Sequence, residues 1–163
     1  MTDAEPVFVD DASIQAADPV WRRIPPGRWT YDHNEGRARP TSDCFKYWRH
    51  PETRERHPMS VTLGEGLTPD MALQGQQPGF KLAGWPAGHI RGHQLGVCHD
   101  DQPDVVAHGL VFTLQEDSHG VRQQEIPNSV RDRLAKSAAW VIGLSLDEVE
   151  EARRRTAAPP PGN

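Results

Sequence analysis

Residues 81–114 read KLAGWPAGHIRGHQLGVCHDDQPDVVAHGLVFTL and decide the fold that we expect. Three runs, at residues 80–85, 95–98 and 105–114, are apolar or β-branched and are bounded by turn residues, which is typical of β-strands. Residues 86–93, between the first two runs, favour a short turn or helix. The last run is the most apolar, so we expect it to lie centrally in a sheet.

Further strands are predicted on the N-terminal side of this stretch. Residues 20–24 alternate apolar and charged side chains, and residues 59–63 combine alternation with β-branched content. Residues 29–32 and 37–39 flank a turn rich in Asn and Gly, which tolerate positive φ, so they predict a hairpin or tight loop. Together these runs predict a mixed or mostly antiparallel sheet of five to six short strands.

The helix signals lie mainly in the last quarter of the chain. Asn128 can cap a helix from residue 129 to about residue 142, whose apolar residues share one face. Ser145 and Glu148 have the spacing of a capping box for a final helix that ends near residue 155. Shorter helices are predicted at residues 41–48 and 68–74. We therefore expect an α+β fold in which the C-terminal helices pack on one face of the sheet.

Composition limits the classes of partner. The chain has 163 residues, 36% of them hydrophobic, and a formal net charge of −5. This charge argues against nucleic acid and anionic membranes as partners. No apolar run approaches the roughly 20 residues of a membrane span, and the acidic N-terminus does not have the pattern of a signal peptide. We therefore expect a cytoplasmic protein without a membrane partner.

The length favours one domain. We expect a loosely ordered N-terminal arm at residues 1–17, a single α+β domain at residues 18–156 and a disordered tail at residues 157–163. Cys44 and Cys98 are far apart and lack CxxC spacing, so we expect free thiols.

Histidines are concentrated in the central stretch. His89 and His93 are four residues apart, which puts both rings on one face of a helix at the separation of metal ligands. With His99 they could hold a divalent metal, although no Glu follows the first histidine as it does in zinc hydrolases. The alternative, which we favour, is that these histidines lie at the surface or in hydrogen bonds. The cofactor is otherwise unknown.

His108 lies within an apolar strand between two small residues, Ala107 and Gly109. A buried imidazole must find hydrogen-bond partners, and the adjacent glycine lets another group approach closely. One interpretation is a general acid or base in a cleft. The other is a core histidine satisfied by a backbone carbonyl. His108 is our best single candidate for a catalytic residue.

Arginines supply candidates for substrate binding. Arg22 and Arg23 lie on the first predicted strand, Arg39 follows in the first quarter of the chain, and Arg91 lies in the central stretch. Guanidinium groups recognise phosphates and carboxylates well. The alternative is a solvated face of salt bridges. The chain has no glycine-rich phosphate loop, no GxGxxG and no GxSxG.

The segments WRRIPP, RPTSDCF, MSVTL, AGHIRG and PDVVAHGLV follow one another in this order. The order resembles a family of small uncharacterised bacterial proteins, over roughly residues 18–142. The resemblance implies a bacterial origin and a compact α+β fold, and it brings no activity with it. The motif RPTS departs mildly from the RPSS of that pattern and keeps its hydroxyl groups.

A second resemblance is to ADP-ribosyltransferase-like folds, in which a basic residue and a Ser or Thr hold the nicotinamide dinucleotide. It implies these roles for Arg22 or Arg23 and for Ser60, with His108 as the polar residue of a late strand. The Glu expected on the last strand is missing, although Glu116 lies just beyond it.

Two classes of function follow. The first is a bacterial accessory or binding protein that recognises a small anionic ligand, or an operon-encoded protein partner, through an arginine-rich cleft. The second is a small enzyme with His108 as general acid or base on an anionic substrate. The first is favoured here because the sequence contains no recognised catalytic constellation. Convergence of His108, an arginine and a hydroxyl on one pocket would favour the enzyme.

Overall fold

The computed structural model describes residues 7–156. Within them lie the strands β1 (Pro19–Ile24), β2 (Trp29–Asp32), β3 (Arg37–Pro40), β4 (Trp48–Arg49), β5 (Arg56–His57), β6 (Met59–Leu63), β7 (Lys81–Pro86), β8 (Leu95–His99), β9 (His108–Thr113) and β10 (Ala139–Ile142). The α-helices are α1 (Pro69–Ala72), α2 (Ala87–Arg91), α3 (Asn128–Ser137) and α4 (Leu146–Arg155), and Ser42–Cys44 forms a turn of 3₁₀ helix.

Six strands form one antiparallel sheet in the order β10-β7-β1-β6-β9-β8. The short pairs β2–β3 and β4–β5 form separate ribbons. The predicted α+β class, the six-stranded antiparallel sheet and the hairpin at β2–β3 are confirmed. The apolar strand β9 lies inside the sheet, between β6 and β8, as its composition predicts.

Side chains alternate between the two faces of the sheet along each strand, and the two faces pack against different groups. On β1, Val20 belongs to the main core together with Leu134 of α3 and Ala152 of α4. The next residue, Trp21, belongs to a smaller cluster on the other face. The C-terminal helices therefore pack on one face, as predicted. The opposite face is left with a small apolar cluster and a polar region.

Close packing between β1 and β7 requires a glycine. Gly84 pairs with Trp21 across the ladder. A Cβ atom at position 84 would lie 2.2 Å from the carbonyl oxygen of Val20 and 2.9 Å from the indole of Trp21. The strand can therefore pass beside Trp21 only without a side chain at this position.

The predicted helix at residues 129–142 is too long. Helix α3 ends at Ser137, and Ala138 has extended backbone angles. The chain then adds β10 to the edge of β7, and the indole of Trp140 donates to the carbonyl of Ala38 at 2.9 Å. The tertiary partners of Trp140 thus override the helical periodicity. The helix predicted at residues 41–48 is likewise reduced to a 3₁₀ turn.

The N-terminal arm differs from expectation where the structure describes it. The amide of Asp11 donates to the carbonyl of Val97 on the edge strand β8, and Arg91 pairs with Asp10 at 3.0 Å. Ile14 is buried in the main core. Residues 7–17 are therefore tied to the sheet rather than loosely held. Residues 1–6 and the predicted tail at residues 157–163 lie outside the described part of the chain.

No helix within residues 7–156 is both long enough and apolar enough to cross a membrane.

Candidate functional site

The candidate site lies where the ladder between β1 and β6 stops. These strands pair at only two positions, Val20 with Leu63 and Trp21 with Thr62. Beyond them the guanidinium group of Arg22 fills the gap: its Nε donates to the carbonyl of Cys44 at 2.9 Å and its Nη1 to the carbonyl of Ser60 at 2.6 Å. The side chain of Arg22 thus connects β1 and β6 at the point where their backbone hydrogen bonds have ended.

Two neighbouring cavities open at this gap. The smaller one, of about 60 Å³, is lined by both Arg22 and Arg23 together with Ser60 and His108. The larger one, of about 430 Å³, is also lined by Ser60 and His108 and continues along the sheet to Trp48. Because the two cavities share residues, we treat them as one surface and call it the sheet groove. Its larger part is within the range of small-molecule sites, about 300–1,000 Å³.

His108 is held in the sheet groove by Asp100. The Nδ1 atom of His108 lies 2.8 Å from a carboxylate oxygen of Asp100, and only 14% of the histidine side chain is exposed. Nδ1 forms its hydrogen bond with the backbone carbonyl of Asp100 at 3.3 Å, which is the kind of partner expected for a core histidine. Since carbonyl and carboxylate oxygens only accept hydrogen bonds, Nδ1 carries the proton and Nε2 is left with a lone pair in the neutral ring. Among the described residues no group forms a hydrogen bond with Nε2. This is the arrangement of an oriented general base.

The two arginines bring uncompensated positive charge to the groove. Burial lowers the pKa of Arg22, with smaller effects from Cys44 and Arg23, and burial also lowers the pKa of Arg23. Arg23 donates from Nε to the carbonyl of Ala72 at 2.7 Å. Within residues 7–156 no carboxylate lies within 4.0 Å of either guanidinium group. Buried charges are ordinarily paired, so an anion in the groove would supply the missing partner.

The other two predicted substrate-binding arginines do not reach the groove. Arg39 pairs with Asp32 at 3.1 Å on the β2–β3 ribbon, and Arg91 pairs with Asp10 at 3.0 Å at the edge of the sheet. Both charges are balanced by a carboxylate. The prediction of a cleft formed by all four arginines is therefore wrong for Arg39 and Arg91, because their strands and helix place them with local acids.

The predicted metal ligands do not converge. The rings of His89 and His93 lie 5.1 Å apart, and Nε2 of His89 is 2.8 Å from the hydroxyl of Ser137. Strand β8 carries His99 to its other end, where Nδ1 donates to a carboxylate oxygen of Asp11 at 2.8 Å. In the described chain no group of three or more His, Cys, Asp or Glu could hold a metal ion.

Burial lowers the pKa of His93, and the neighbouring His89 and Arg133 lower it further. The ring of His89 is in contact with the hydroxyl of Ser137 and meets the ring of His93 edge-on.

The positions assigned by the resemblance to ADP-ribosyltransferase-like folds meet in part. Arg22, Arg23, Ser60 and His108 all line the smaller cavity. Glu116 forms an isolated bridge with Arg122 after the end of β9, whereas His108 begins that strand. Glu116 is therefore separated from His108 by the full length of β9.

Sequence analysis did not connect Asp100 with His108 and did not include the aromatic end of the groove. Asp100 directly follows β8, and His108 begins the antiparallel neighbour β9. The residues at the two ends of the connection between antiparallel strands lie side by side. The end of β8 and the start of β9 would therefore have indicated that Asp100 and His108 are neighbours. Trp48 falls in the helix predicted at residues 41–48 and His57 in no predicted element, and the short β4–β5 ribbon that pairs them carries no strong local pattern.

Comparisons with protein-family models, with curated proteins and with solved structures found no match for this chain.

Proposed function

We propose that the protein acts on a small organic anion, which binds to Arg22 and Arg23 in the sheet groove while His108 transfers a proton. The observation that carries the proposal is the contact between Nδ1 of His108 and the carboxylate of Asp100, 2.8 Å apart, in a groove that is also lined by Arg22 and Arg23, two arginines without a carboxylate partner among the described residues. Perturbed or uncompensated charges in a cleft are typical of functional sites.

The arginines suit an anionic group of the substrate. Arg22 is held by the carbonyls of Cys44 and Ser60, so its guanidinium group is already oriented before a ligand binds. A preorganised donor loses less conformational entropy on binding than a free surface side chain. A phosphate or carboxylate in the smaller cavity would accept hydrogen bonds from the arginines that line it, Arg23 on the face of β1 that carries Trp21 and Arg22 across the gap from the opposite face.

His108 suits general-base catalysis of hydrolysis. The lone pair on Nε2 takes a proton from a water molecule as the water oxygen forms a bond to the electrophilic carbon or phosphorus of the substrate. The imidazolium ion, stabilised by Asp100, then returns this proton to the leaving oxygen as its bond to the centre breaks. The imidazole is thus regenerated and no further reactant is needed. Such a group typically contributes about 10²–10⁴-fold to the rate.

Binding without turnover is the second candidate. Ser60 is exposed, and its hydroxyl forms no hydrogen bond with His108 or with any other described residue, so the structure contains no preformed nucleophile and base pair. In this case the arginines bind the anion and His108 only adds a hydrogen bond. A bacterial accessory protein that senses or carries a metabolite would have this behaviour.

The test combines a binding probe with two chromogenic substrates. We expect inorganic phosphate to bind the native protein in calorimetry and Arg23→Met to abolish this binding, whereas Arg28→Met, at an exposed arginine paired with Asp43, leaves it unchanged. We expect hydrolysis of 4-nitrophenyl phosphate or mono-4-nitrophenyl succinate, reduced about 100-fold or more by His108→Gln.

The control for hydrolysis is His119→Gln, at an exposed loop histidine. Phosphate binding without any turnover would favour the binding protein. Absence of phosphate binding, or binding that survives Arg23→Met, would contradict the proposal.

A further inference from the structure

We infer that the anion carries an aromatic ring, which stacks on Trp48 at the far end of the sheet groove. This inference rests on the proposed function, since it names the class of substrate for the same groove. Trp48 is 52% exposed, whereas Trp21, Trp29 and Trp85 are each at most 7% exposed. An indole that is half open to a cavity lined by apolar groups is an effective surface for a planar ligand.

The ring of Trp48 is fixed by its neighbours. Trp48 pairs directly with His57 across the β4–β5 ribbon, and their ring centroids lie 5.3 Å apart at an interplanar angle of 34°. His50 contacts the same indole edge-on, with the centroids 5.5 Å apart and an angle of 82°. The indole therefore has a defined orientation before any ligand binds, which lowers the entropy cost of stacking.

Apolar groups line part of the wall near Trp48, and the arginines lie at the other end. Phe8, Pro58 and Leu110 line the larger cavity together with Trp48, and the polar residues of its lining are His57, Ser60, Asp100, Gln102 and His108. The ring of Phe8 is itself packed against Phe112, with 5.7 Å between centroids. The arginines line only the smaller cavity. A ligand that reaches from Trp48 to the arginines therefore places its ring at one end and its anionic group at the other.

The chain limits the distance between these two ends. His57, which touches Trp48, and Ser60, whose carbonyl accepts from Arg22, are three residues apart. Three residues of chain span at most about 10 Å. The ligand class is therefore an organic phosphate or carboxylate with an aromatic ring on the order of 10 Å from its anionic group.

The experiment compares three probes by calorimetry: 4-phenylbutyl phosphate, 4-cyclohexylbutyl phosphate of the same length, and inorganic phosphate. We expect the phenyl compound to bind the native protein roughly tenfold more tightly than phosphate, with the cyclohexyl compound between them. Trp48→Ala should remove this advantage and leave phosphate binding unchanged, whereas Trp48→Phe should keep most of it.

Leu146→Ala is the matched control, because Leu146 is another large exposed apolar residue, at the start of α4, with 86% exposure. It should alter none of the three affinities. Equal affinity for phosphate and the phenyl compound, or an advantage that survives Trp48→Ala, would overturn this inference while phosphate binding keeps the proposed function. Absence of binding by all three probes would overturn both.

Discussion

Asp100 and His108 are joined by hydrogen bonds in both directions. Nδ1 of His108 donates to the backbone carbonyl of Asp100 at 3.3 Å and lies 2.8 Å from its carboxylate, and the amide of Asp100 donates to the carbonyl of His108 at 2.9 Å. The first bond orients the imidazole and the second fixes the backbone that carries the carboxylate. The end of the β8–β9 hairpin therefore holds the ring in one orientation toward the sheet groove.

This relationship predicts the tautomer of His108. We expect ¹⁵N spectra of the ring to show the proton of the neutral form on Nδ1, because the carbonyl and carboxylate oxygens of Asp100 near it can only accept. Asp100→Ala removes the carboxylate and keeps the backbone carbonyl, so it should weaken this preference. Asp101→Ala, at the exposed neighbouring residue, is the control and should leave the spectrum unchanged. A native ring that carries its proton on Nε2 would contradict the described geometry.

Replacing Arg22 should destabilise the fold. Arg22→Met leaves the carbonyls of Cys44 and Ser60 without their donor, and a buried carbonyl without a partner costs about 1–3 kcal/mol. We therefore expect the free energy of unfolding in urea to fall by about 2 kcal/mol. Arg28→Met removes only an exposed pair with Asp43, and we expect a loss below about 0.5 kcal/mol. Equal effects of both substitutions would show that Arg22 does not connect the strands.

Gly84 should not tolerate a side chain. In Gly84→Ala the new Cβ would meet the carbonyl of Val20 at 2.2 Å, a backbone atom that cannot rotate away. We expect a loss of about 3 kcal/mol or failure to fold, at the upper end of overpacking effects. The comparison is Gly92→Ala, where the backbone is helical and the nearest atom is 3.3 Å away. Its stability should change by less than about 1 kcal/mol. A tolerant Gly84→Ala would contradict the register of β1 and β7.

The pair between Lys81 and Glu148 should make stability depend on pH. Lys81 lies 2.8 Å from the carboxylate, and this bond is the main cause that lowers the pKa of Glu148, with help from the amide of Ser145. Because the pKa is lower in the folded state, the stabilisation is present above the usual Glu range and is lost as the pH falls through the lowered value. Glu148→Gln should cost about 0.5–1 kcal/mol at neutral pH and nothing at strongly acidic pH.

The control for this effect is Glu151→Gln on the same helix, whose pair with Arg154 is largely exposed. The measurement is the thermal unfolding midpoint of the native protein, Glu148→Gln and Glu151→Gln across the acidic pH range. A difference between native protein and Glu148→Gln that persists at the lowest pH would show that the amide disturbs packing rather than the ion pair.

The sheet could be predicted because its strands carry local patterns. The alternation at Val20–Ile24 and the apolar run that contains Val111 predict strands with one or two buried faces, and both lie in the sheet. The capping box of Ser145 and Glu148 is formed as its spacing predicts. These features depend on residues close in sequence, where backbone preferences and side-chain periodicity determine the outcome.

The rest depends on contacts between distant residues. Trp140 leaves the helix that its neighbours favour because its indole reaches Ala38, about a hundred positions away in sequence. His108, Arg22 and Arg23 were candidates from the sequence, and their meeting at one cavity results from the strand order β1-β6-β9, which no local pattern specifies. Arg39 and Arg91 have the same side chain as Arg22 and differ only in having a nearby carboxylate.

The most direct measurement follows the imidazole resonances of the eight histidines during titration with inorganic phosphate. We predict a saturable shift that is largest for His108, because it shares the smaller cavity with both arginines, and that disappears in Arg23→Met. An unshifted His108, or the same shift in Arg23→Met, would contradict the central claim that an anion binds beside His108 in the sheet groove.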